Sequence, residues 1–454
     1  MKTKILDRTH STLDLDLLTE YNALFEGGQT FHKELRRFAP QLPGESKPNY
    51  LYRLSRMRYR GYVGPIVLLF ASALFRAPYE IRALRQGIPV DMHLAIEALK
   101  TDADGHGMDL IAVAKKAFID TAIGRVSWLH CEMEDGRLTI EAESPFCVIN
   151  WQTESDGLEW IVEAETSFKL ASPYAEKGTY VRRWHIYDET SETMFEAAWP
   201  EDKTEPEEAQ QISVEPHGFA QCPFVPVCAP PGMWLMGILG DVQRRIFEIS
   251  NAFDSALNGA AYPTAVHEKH NPTSEPKITP GGLAEIAANE KLYWIAPPAA
   301  PFDALSNREK MLIQELGRLA AQMAYGVDSN APAALGRSAE SKAADQQSTI
   351  VCLREFGRVI REALQVALQI CADGIGFDAQ ISVEGFTEFS DDSISELVAA
   401  LKETTDLGMK SPRLKAELQK SLAKKLLPGA ASSVMDAIQK ELDSPAQPNP
   451  TPLT

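Results

Sequence analysis

The sequence predicts an α+β chain in which long helices flank a short β insert, and three observations carry that prediction. Apolar residues recur every three or four positions across residues 233–257 and again across 306–325, the spacing of a helix face. The stretch between them is punctuated by Pro263, Pro272, Pro276, Pro280, Gly281 and Gly282. Residues 126–199 alternate short strand-like runs with polar turns.

The elements follow in order. A helix pattern covers residues 13–25, Gly27 and Gly28 interrupt it, and residues 32–38 resume it. Pro40, Pro43, Gly44 and Pro48 form a linker ahead of a Tyr/Arg-rich stretch. The most apolar run, 62–75, is too short to span a bilayer, contains Pro65 and is flanked by Arg60 and Arg76, so it reads as a buried helix. Strand patterns at 138–142, 158–163 and 180–187 precede an acidic, Pro-containing loop at 201–211, which reads as a solvated surface segment. The first long helix places Leu235, Leu239, Val242, Ile246, Ile249, Phe253 and Leu257 on one face and spans roughly 35–40 Å. In the insert, 264–267 and 292–295 are strand-like and 283–289 helical. The second long helix opens with Ser306 and Glu309 in capping-box spacing and continues through Leu312, Leu316, Leu319 and Met323. Gly326, Pro332 and Gly336 break it. A third helix restarts at 338, with only Ala as apolar residues to 348, then a core stripe of Leu353, Ile360, Leu364 and Leu368. After Gly374 and Gly376 a strand-like run at 380–383 precedes a helical region with breaks at 408–412 and 428–430, and a Pro-rich, disordered tail.

A chain of 454 residues with 44% hydrophobic composition can bury the cores of two or three domains. Its first fourteen residues lack the apolar run and cleavage site of a secretory signal. Six cysteines without a CxxC pair argue against a disulfide framework and for assembly in a reducing cytoplasm, with Cys352 and Cys371 serving as small core residues. A net charge of −18 tells against a protein that grips nucleic-acid phosphates by counterion release.

The motifs of catalysis are absent from the sequence. There is no GxxxxGK[ST] phosphate cradle, no HExxH and no GxSxG elbow. His267, Glu268 and His270 lie close together but lack the spacing of a helical zinc site. Asp102, Asp104 and Asp109 in DADGHGMD suggest a calcium loop, yet Val113 stands where the bidentate Glu belongs, so the segment reads as a polar turn. No catalytic residue, metal ligand or cofactor is expected.

The helix, β insert, helix, loop, helix order resembles the stem, clip, tunnel-loop and long-helix order of the portal proteins of tailed double-stranded DNA bacteriophages, the head-tail connectors. Residues 49–81, NYLYRLSRMRYRGYVGPIVLLFASALFRAPYEI, are similar to the N-terminal wing motif of one portal subfamily, in which a Tyr/Arg-rich segment precedes an apolar helix ending in Leu-Phe-Arg-x-Pro. Residues 117–128, with SPFCVINW at 144–151, and QCPFVP at 221–226 extend the resemblance, which covers most of residues 50–405. It implies a portal fold: a mixed α/β wing over 1–232, a first stem helix at 233–260, a small β-containing clip at 261–304 and a second stem helix at 305–326. A tunnel loop at 327–337, a long helix and return strand of the wing at 338–390, a helical crown at 391–443 and a tail at 444–454 complete it.

The resemblance further implies a non-enzymatic ring of twelve copies at one capsid vertex of the virion, assembled in the host cytoplasm. The ring would be the conduit for genome packaging and ejection. Its partners would be the terminase large subunit, a head-tail adaptor protein, the major capsid protein and a scaffold, with double-stranded DNA passing through without sequence specificity and no membrane involved. Asp328, Ser329, Asn330 and Arg337 are the tunnel-loop candidates for loose phosphate contact. Thr264, Val266, Tyr293 and Trp294 are the clip-interface candidates. At such a ring's total charge, on the order of two hundred negatives, the wall favours sliding over sticking. The alternative is a phage-associated hydrolase or nuclease whose carboxylates converge only in the fold.

Overall fold

The computed structural model describes residues 1–76, 79–134, 136–154, 157–261, 264–268, 291–295, 300–324 and 339–386, with Gln419 beyond them. The chain divides into two units, Met1–Phe389 and Ser390–Thr454, and the elements below belong to the first. Apart from Gln419, the expected crown and the tail lie outside the described residues.

Six short or medium helices open the chain: α1 (Thr3–Leu6), α2 (Leu15–Glu26), α3 (Gly28–Phe38), α4 (Lys47–Arg56), α5 (Val63–Leu74) and α6 (Leu94–Leu99). Their starts follow from capping chemistry. Asp14 Oδ1 accepts the Leu17 N–H at 3.0 Å to begin α2, and Ser46 Oγ accepts the Asn49 N–H at 3.4 Å to begin α4. Gly27, at φ 63° and ψ −150°, both ends α2 and begins α3, a backbone geometry open to glycine. Strands β1 (Tyr79–Arg85) and β2 (Ile88–Val90) lie between α5 and α6, and α7 (Leu110–Gly124) is capped by Asp109, which accepts the Ala112 N–H at 2.7 Å.

The β part is a run of antiparallel strands: β3 (Val126–Glu134), β4 (Arg137–Glu143), β5 (Val148–Glu154), β6 (Gly157–Leu170), β7 (Gly178–Tyr187), β8 (Ser191–Pro200), β9 (Gln210–Pro216) and β10 (Phe224–Cys228). Strands β5 to β9 form a five-stranded meander, while β10, β3 and β4 form a separate three-stranded sheet. Strand β3 is the pivot because successive side chains point to opposite faces. Leu129 and Cys131, with Ile140 and Ala142 of β4 and Val225 and Val227 of β10, join the large helical core. Trp128 instead packs with Val148, Ile161, Tyr187, Cys222 and Phe224, and His130 stacks on Phe224 at 4.0 Å, so the opposite face meets the meander.

After β10 come α8 (Leu235–Ala261), the hairpin strands β11 (Thr264–Glu268) and β12 (Lys291–Ile295), α9 (Ala300–Ala324), α10 (Ala339–Gly374) and β13 (Gln380–Gly385). Strand β13 returns to pair with β1, from Tyr79 opposite Gly385 to Leu84 opposite Gln380. The outer N–H groups of β13 are taken by α10: Ile381 donates to Gln369 Oε1 at 2.8 Å and Val383 to Gln365 Oε1 at 3.4 Å. Close approach of α10 to the backbone just after β13 demands glycine at 357, where any Cβ would collide with the Phe386 carbonyl oxygen.

Some expectations need correction. The apolar run predicted as a buried helix is sunk on one face only: α5 buries Val63, Val67, Phe70 and Leu74 but leaves Leu69 70% exposed. The acidic loop read at 201–211 ends in strand, since β9 already begins at Gln210. The second long helix begins at Ala300 and not at Ser306, so the Ser306/Glu309 pair sits inside α9 and caps nothing. All six cysteines are free thiols, and Cys371 is buried as expected while Cys352 is partly exposed. No helix among the described residues is long and apolar enough to cross a membrane.

Candidate functional site: the projecting helix pair

The candidate site is built on α8, the β11–β12 hairpin and α9. Its 27 residues give α8 a length of about 40 Å. The first half is sunk in the main core, where Leu235, Met236, Leu239, Val242, Ile246 and Phe247 are all buried. Trp234 donates its indole N–H to the Ile123 carbonyl at 3.1 Å and packs edge-on to Tyr21. Phe247 lies among Phe31, Phe38 and Tyr59, with ring centroids 5.0 Å from Phe31 and 6.1 Å from Phe38.

Further along, burial falls away. Phe253 is half-buried and Leu257 is 43% exposed. Helix α9 mirrors this: Leu312 and Leu316 are buried, whereas Met311 and most of the preceding residues are not. The two helices pack against each other, and the hairpin joins the C-terminal end of α8 to the N-terminal end of α9. The pair is therefore rooted in the core at one end and carries the hairpin at its thinly covered end.

Between root and tip the pair is held by directional polar contacts. Gln243, fully buried, accepts the Tyr62 N–H at 2.9 Å and donates to the Arg60 carbonyl at 2.9 Å. About two turns on, Asn251 repeats the arrangement, accepting the Arg58 N–H at 2.9 Å and donating to the Arg58 carbonyl at 3.0 Å and to Phe247 at 2.8 Å. These amides read the backbone of the Tyr/Arg-rich segment as a strand would, and each buried polar group is matched. Across to α9, the Ser250 hydroxyl donates to Glu309 Oε1 at 2.6 Å, and Arg60 reaches the same oxygen at 3.3 Å. Glu309 thus braces the helix pair instead of capping it. Sequence reasoning passed over Gln243, Ser250 and Asn251; the available signal was that polar residues fall on the apolar face of an otherwise regular stripe.

Among the expected clip residues, the hairpin register sets Val266 opposite Tyr293, Thr264 opposite Ile295 and Ala265 opposite Trp294. Thr264, Val266 and Tyr293 occupy one alternating set of positions and Trp294 the other. His267 and Glu268 are consecutive on β11. His270 and the tunnel-loop candidates Asp328, Ser329, Asn330 and Arg337 lie outside the described residues.

A second cluster sits at the seam between the two sheets. Ligand-capable atoms of Glu143, Cys147 and Glu163 lie within 4.8 Å of one another, drawn from the end of β4, the turn before β5 and the middle of β6. Burial, reinforced by Glu143, pushes the Glu163 carboxyl up to about 9, and burial pushes the Cys147 thiol up to about 12. Nearby Asp120 is raised to about 6 by burial, against the pull of Lys116. At neutral pH Glu163 and Cys147 retain their protons, so a divalent cation would have to displace protons to bind here. Glu143 and Cys147 are four residues apart and Glu163 sixteen further on, but a Glu/Cys/Glu set matches no recognised ligand signature, so the sequence does not single them out. The polar turn at 102–109 uses its carboxylates on its own backbone: Asp104 Oδ1 accepts from His106 and Met108, and Asp102 Oδ1 accepts from Gly107.

No family model matches the chain, and no curated protein sequence matches it. Among solved structures, those similar to this chain include chains of gene transfer agent particles. One, from the virion of a native particle, is 12% identical with a TM-score of 0.42, covering 86% of this chain and 98% of that one. Two others come from particle necks. That of an empty particle, computed with C6 symmetry, is 13% identical at TM-score 0.44 over 79% of this chain and 90% of that one. That of a native particle, computed with C12 symmetry, is 14% identical at TM-score 0.41 over 86% and 98%. Likeness of this degree establishes no function.

Proposed function

We propose that the chain is the portal protein of a tailed double-stranded DNA bacteriophage, a ring of about twelve copies at one capsid vertex. The observation that carries this reading is the antiparallel pair α8–α9, rooted in the core and bearing a β hairpin at its exposed end, followed by the 36-residue α10. A ring needs such an element, because long helices side by side can wall a bore while the hairpins meet other proteins. In this reading α8 and α9 are the stem and the hairpin is the clip, which docks the terminase large subunit during packaging and the head-tail adaptor afterwards. The loop holding Asp328, Ser329, Asn330 and Arg337 touches passing DNA without reading its sequence, and the wing meets the major capsid protein and scaffold. The protein works by geometry and electrostatics; ATP hydrolysis belongs to the terminase.

Negative-stain electron microscopy of the purified chain, with native mass determination on the same sample, tests this reading. Rings with a central hole and a mass near twelve subunits support it. Monomers or dimers at every concentration, with or without scaffold, would sink it.

The hydrolase or nuclease reading has one observation in its favour, the Glu143–Cys147–Glu163 cluster. Metal-dependent cleavage of duplex DNA that is abolished by Glu163→Gln would move the enzyme reading ahead.

A further inference from the structure

Helix α4 buries none of its residues, alone among the described helices. One face holds it to the fold: Tyr50 donates its hydroxyl proton to the Ala39 carbonyl at 3.0 Å, Arg53 makes a two-point contact with Glu45 at 2.9 and 2.8 Å, and Leu54 packs against the main core. The opposite face, with Leu51, Tyr52, Ser55 and Arg56, is exposed and mostly apolar and basic. Leu51 is 46% and Tyr52 60% exposed, and the Arg56 guanidinium lies 5.0 Å above the Tyr52 ring. Just beyond, Arg58 spends its donors on the carbonyls of Ser55 and Met57. Neither Arg56 nor Arg58 faces a carboxylate among the described residues.

Strand β9 has the complementary character. Among the described residues it pairs only with β8, leaving its other edge open, and it is exposed on both faces. Ile212 and Val214 are 54% and 55% exposed, Glu215 is exposed on the same strand, and the exposed Glu207 and Glu208 lie just before it, where the backbone pairs with Lys2 and Thr3. One surface is apolar with cations, the other apolar with anions.

We propose that α4 of one copy docks on the β9 edge of a second copy of this chain. Leu51 and Tyr52 would cover Ile212 and Val214, with Arg56 and Arg58 opposite Glu207 and Glu208. A nucleic acid would satisfy the arginines but leave Leu51 in water, whereas the β9 surface satisfies both. Two different patches meeting head to tail form a heterologous contact, the kind that closes into rings. The inference rests on the ring reading of the preceding section and adds which surfaces make the ring.

The test uses the full chain and a charge swap. Arg56→Glu with Arg58→Glu, and separately Glu207→Arg with Glu208→Arg, should each raise the concentration at which mass photometry sees half-assembly by roughly tenfold or more. The chain carrying all four changes should return to within about threefold of wild type, because both partners of each pair are reversed. Thermal melting of each variant checks that the protomer still folds. Wild-type assembly that ignores the reversals, or a fourfold variant that fails to recover, overturns this contact and leaves the portal reading standing. A wild-type chain that never assembles overturns both. Reversals that abolish binding of a 30-base-pair duplex while leaving assembly intact assign the patch to DNA and overturn the proposal.

Discussion

At its root, from Leu235 to Phe247, α8 is fixed by apolar burial and an aromatic cluster, while at its tip, near Leu257, the same helix is largely in solvent. Gln243 at the end of the root, with Ser250 and Asn251 between root and tip, supplies hydrogen bonds to the Tyr/Arg-rich segment and to α9. Apolar burial is strong but does not select a direction, so the root supplies most of the energy. Hydrogen bonds are weak in net free energy but demand geometry, so the middle supplies the angle. A stiff helix then transmits that angle to the hairpin that follows it. Such a division suits an element whose far end must meet other proteins while its near end stays put.

The largest effect should come at the root. Leu239, with no exposed surface, sits where α8 enters the core, and Leu239→Ala should cost about 2–5 kcal/mol, read from the urea midpoint of the folded chain. Next is the amide clamp. Gln243→Leu leaves the part-buried Tyr62 N–H and Arg60 carbonyl without their side-chain partner, a loss of about 1–3 kcal/mol. Hydrogen exchange should show faster exchange at the Tyr62 amide in that variant. Unchanged exchange there would mean that the segment is held by its aromatic contacts and that the clamp is redundant.

The seam between the sheets responds to a different variable. Glu163 has its folded value raised to about 9 from the ordinary 4.5, chiefly by burial, so the folded chain keeps a proton that the unfolded chain has released. Stability from this group is full below about 4.5 and is lost as pH rises toward 9. His130 acts on the other side, because burial, aided by His185 and His217, lowers it to about 3 from 6.5, and stability is lost as pH falls from 6.5 toward 3. Glu163→Gln should therefore flatten only the alkaline arm and recover about 1–2 kcal/mol at pH 9, measured as thermal midpoints across a pH series. The amide clamp carries no titrating proton, so the local protection of the Tyr62 amide, taken relative to its base-catalysed intrinsic exchange rate, should not follow that arm.

How much of this was legible in the sequence depended on whether a feature is periodic. The α8 stripe from Leu235 to Leu257 declares itself because one face repeats with the helix, and the meander strands declare themselves by alternation. The hairpin positions 264–267 and 292–295 were legible from Pro and Gly punctuation around short apolar runs. Gln243 and Asn251 were not, since a single polar residue on an apolar face looks the same whether it meets water or a backbone. Glu309 was misread because capping-box spacing is local, whereas its partner Ser250 comes from another helix. The Glu143–Cys147–Glu163 seam depends on the pairing of strands, with Val148 opposite Glu163, and no spacing along the chain encodes that.

The smallest expected effect is at the tip. Leu257 continues the apolar stripe of α8, and by periodicity alone it should matter as much as Leu239. Its exposure of 43% says otherwise, because over two-fifths of its surface stays in water after one chain has folded, whereas Leu239 keeps none. Leu257→Ala should shift the urea midpoint by no more than about 0.5 kcal/mol, within the range of ordinary surface substitutions. A loss above about 1 kcal/mol in the dissociated protomer would mean that the core extends to the tip, and the contrast between the two ends would fail. A loss confined to the assembled state would carry a different meaning. The stripe would then be a continuous apolar face of which the first half is covered by the chain itself and the second half by a neighbouring copy, and the periodicity would have been reporting the assembly all along.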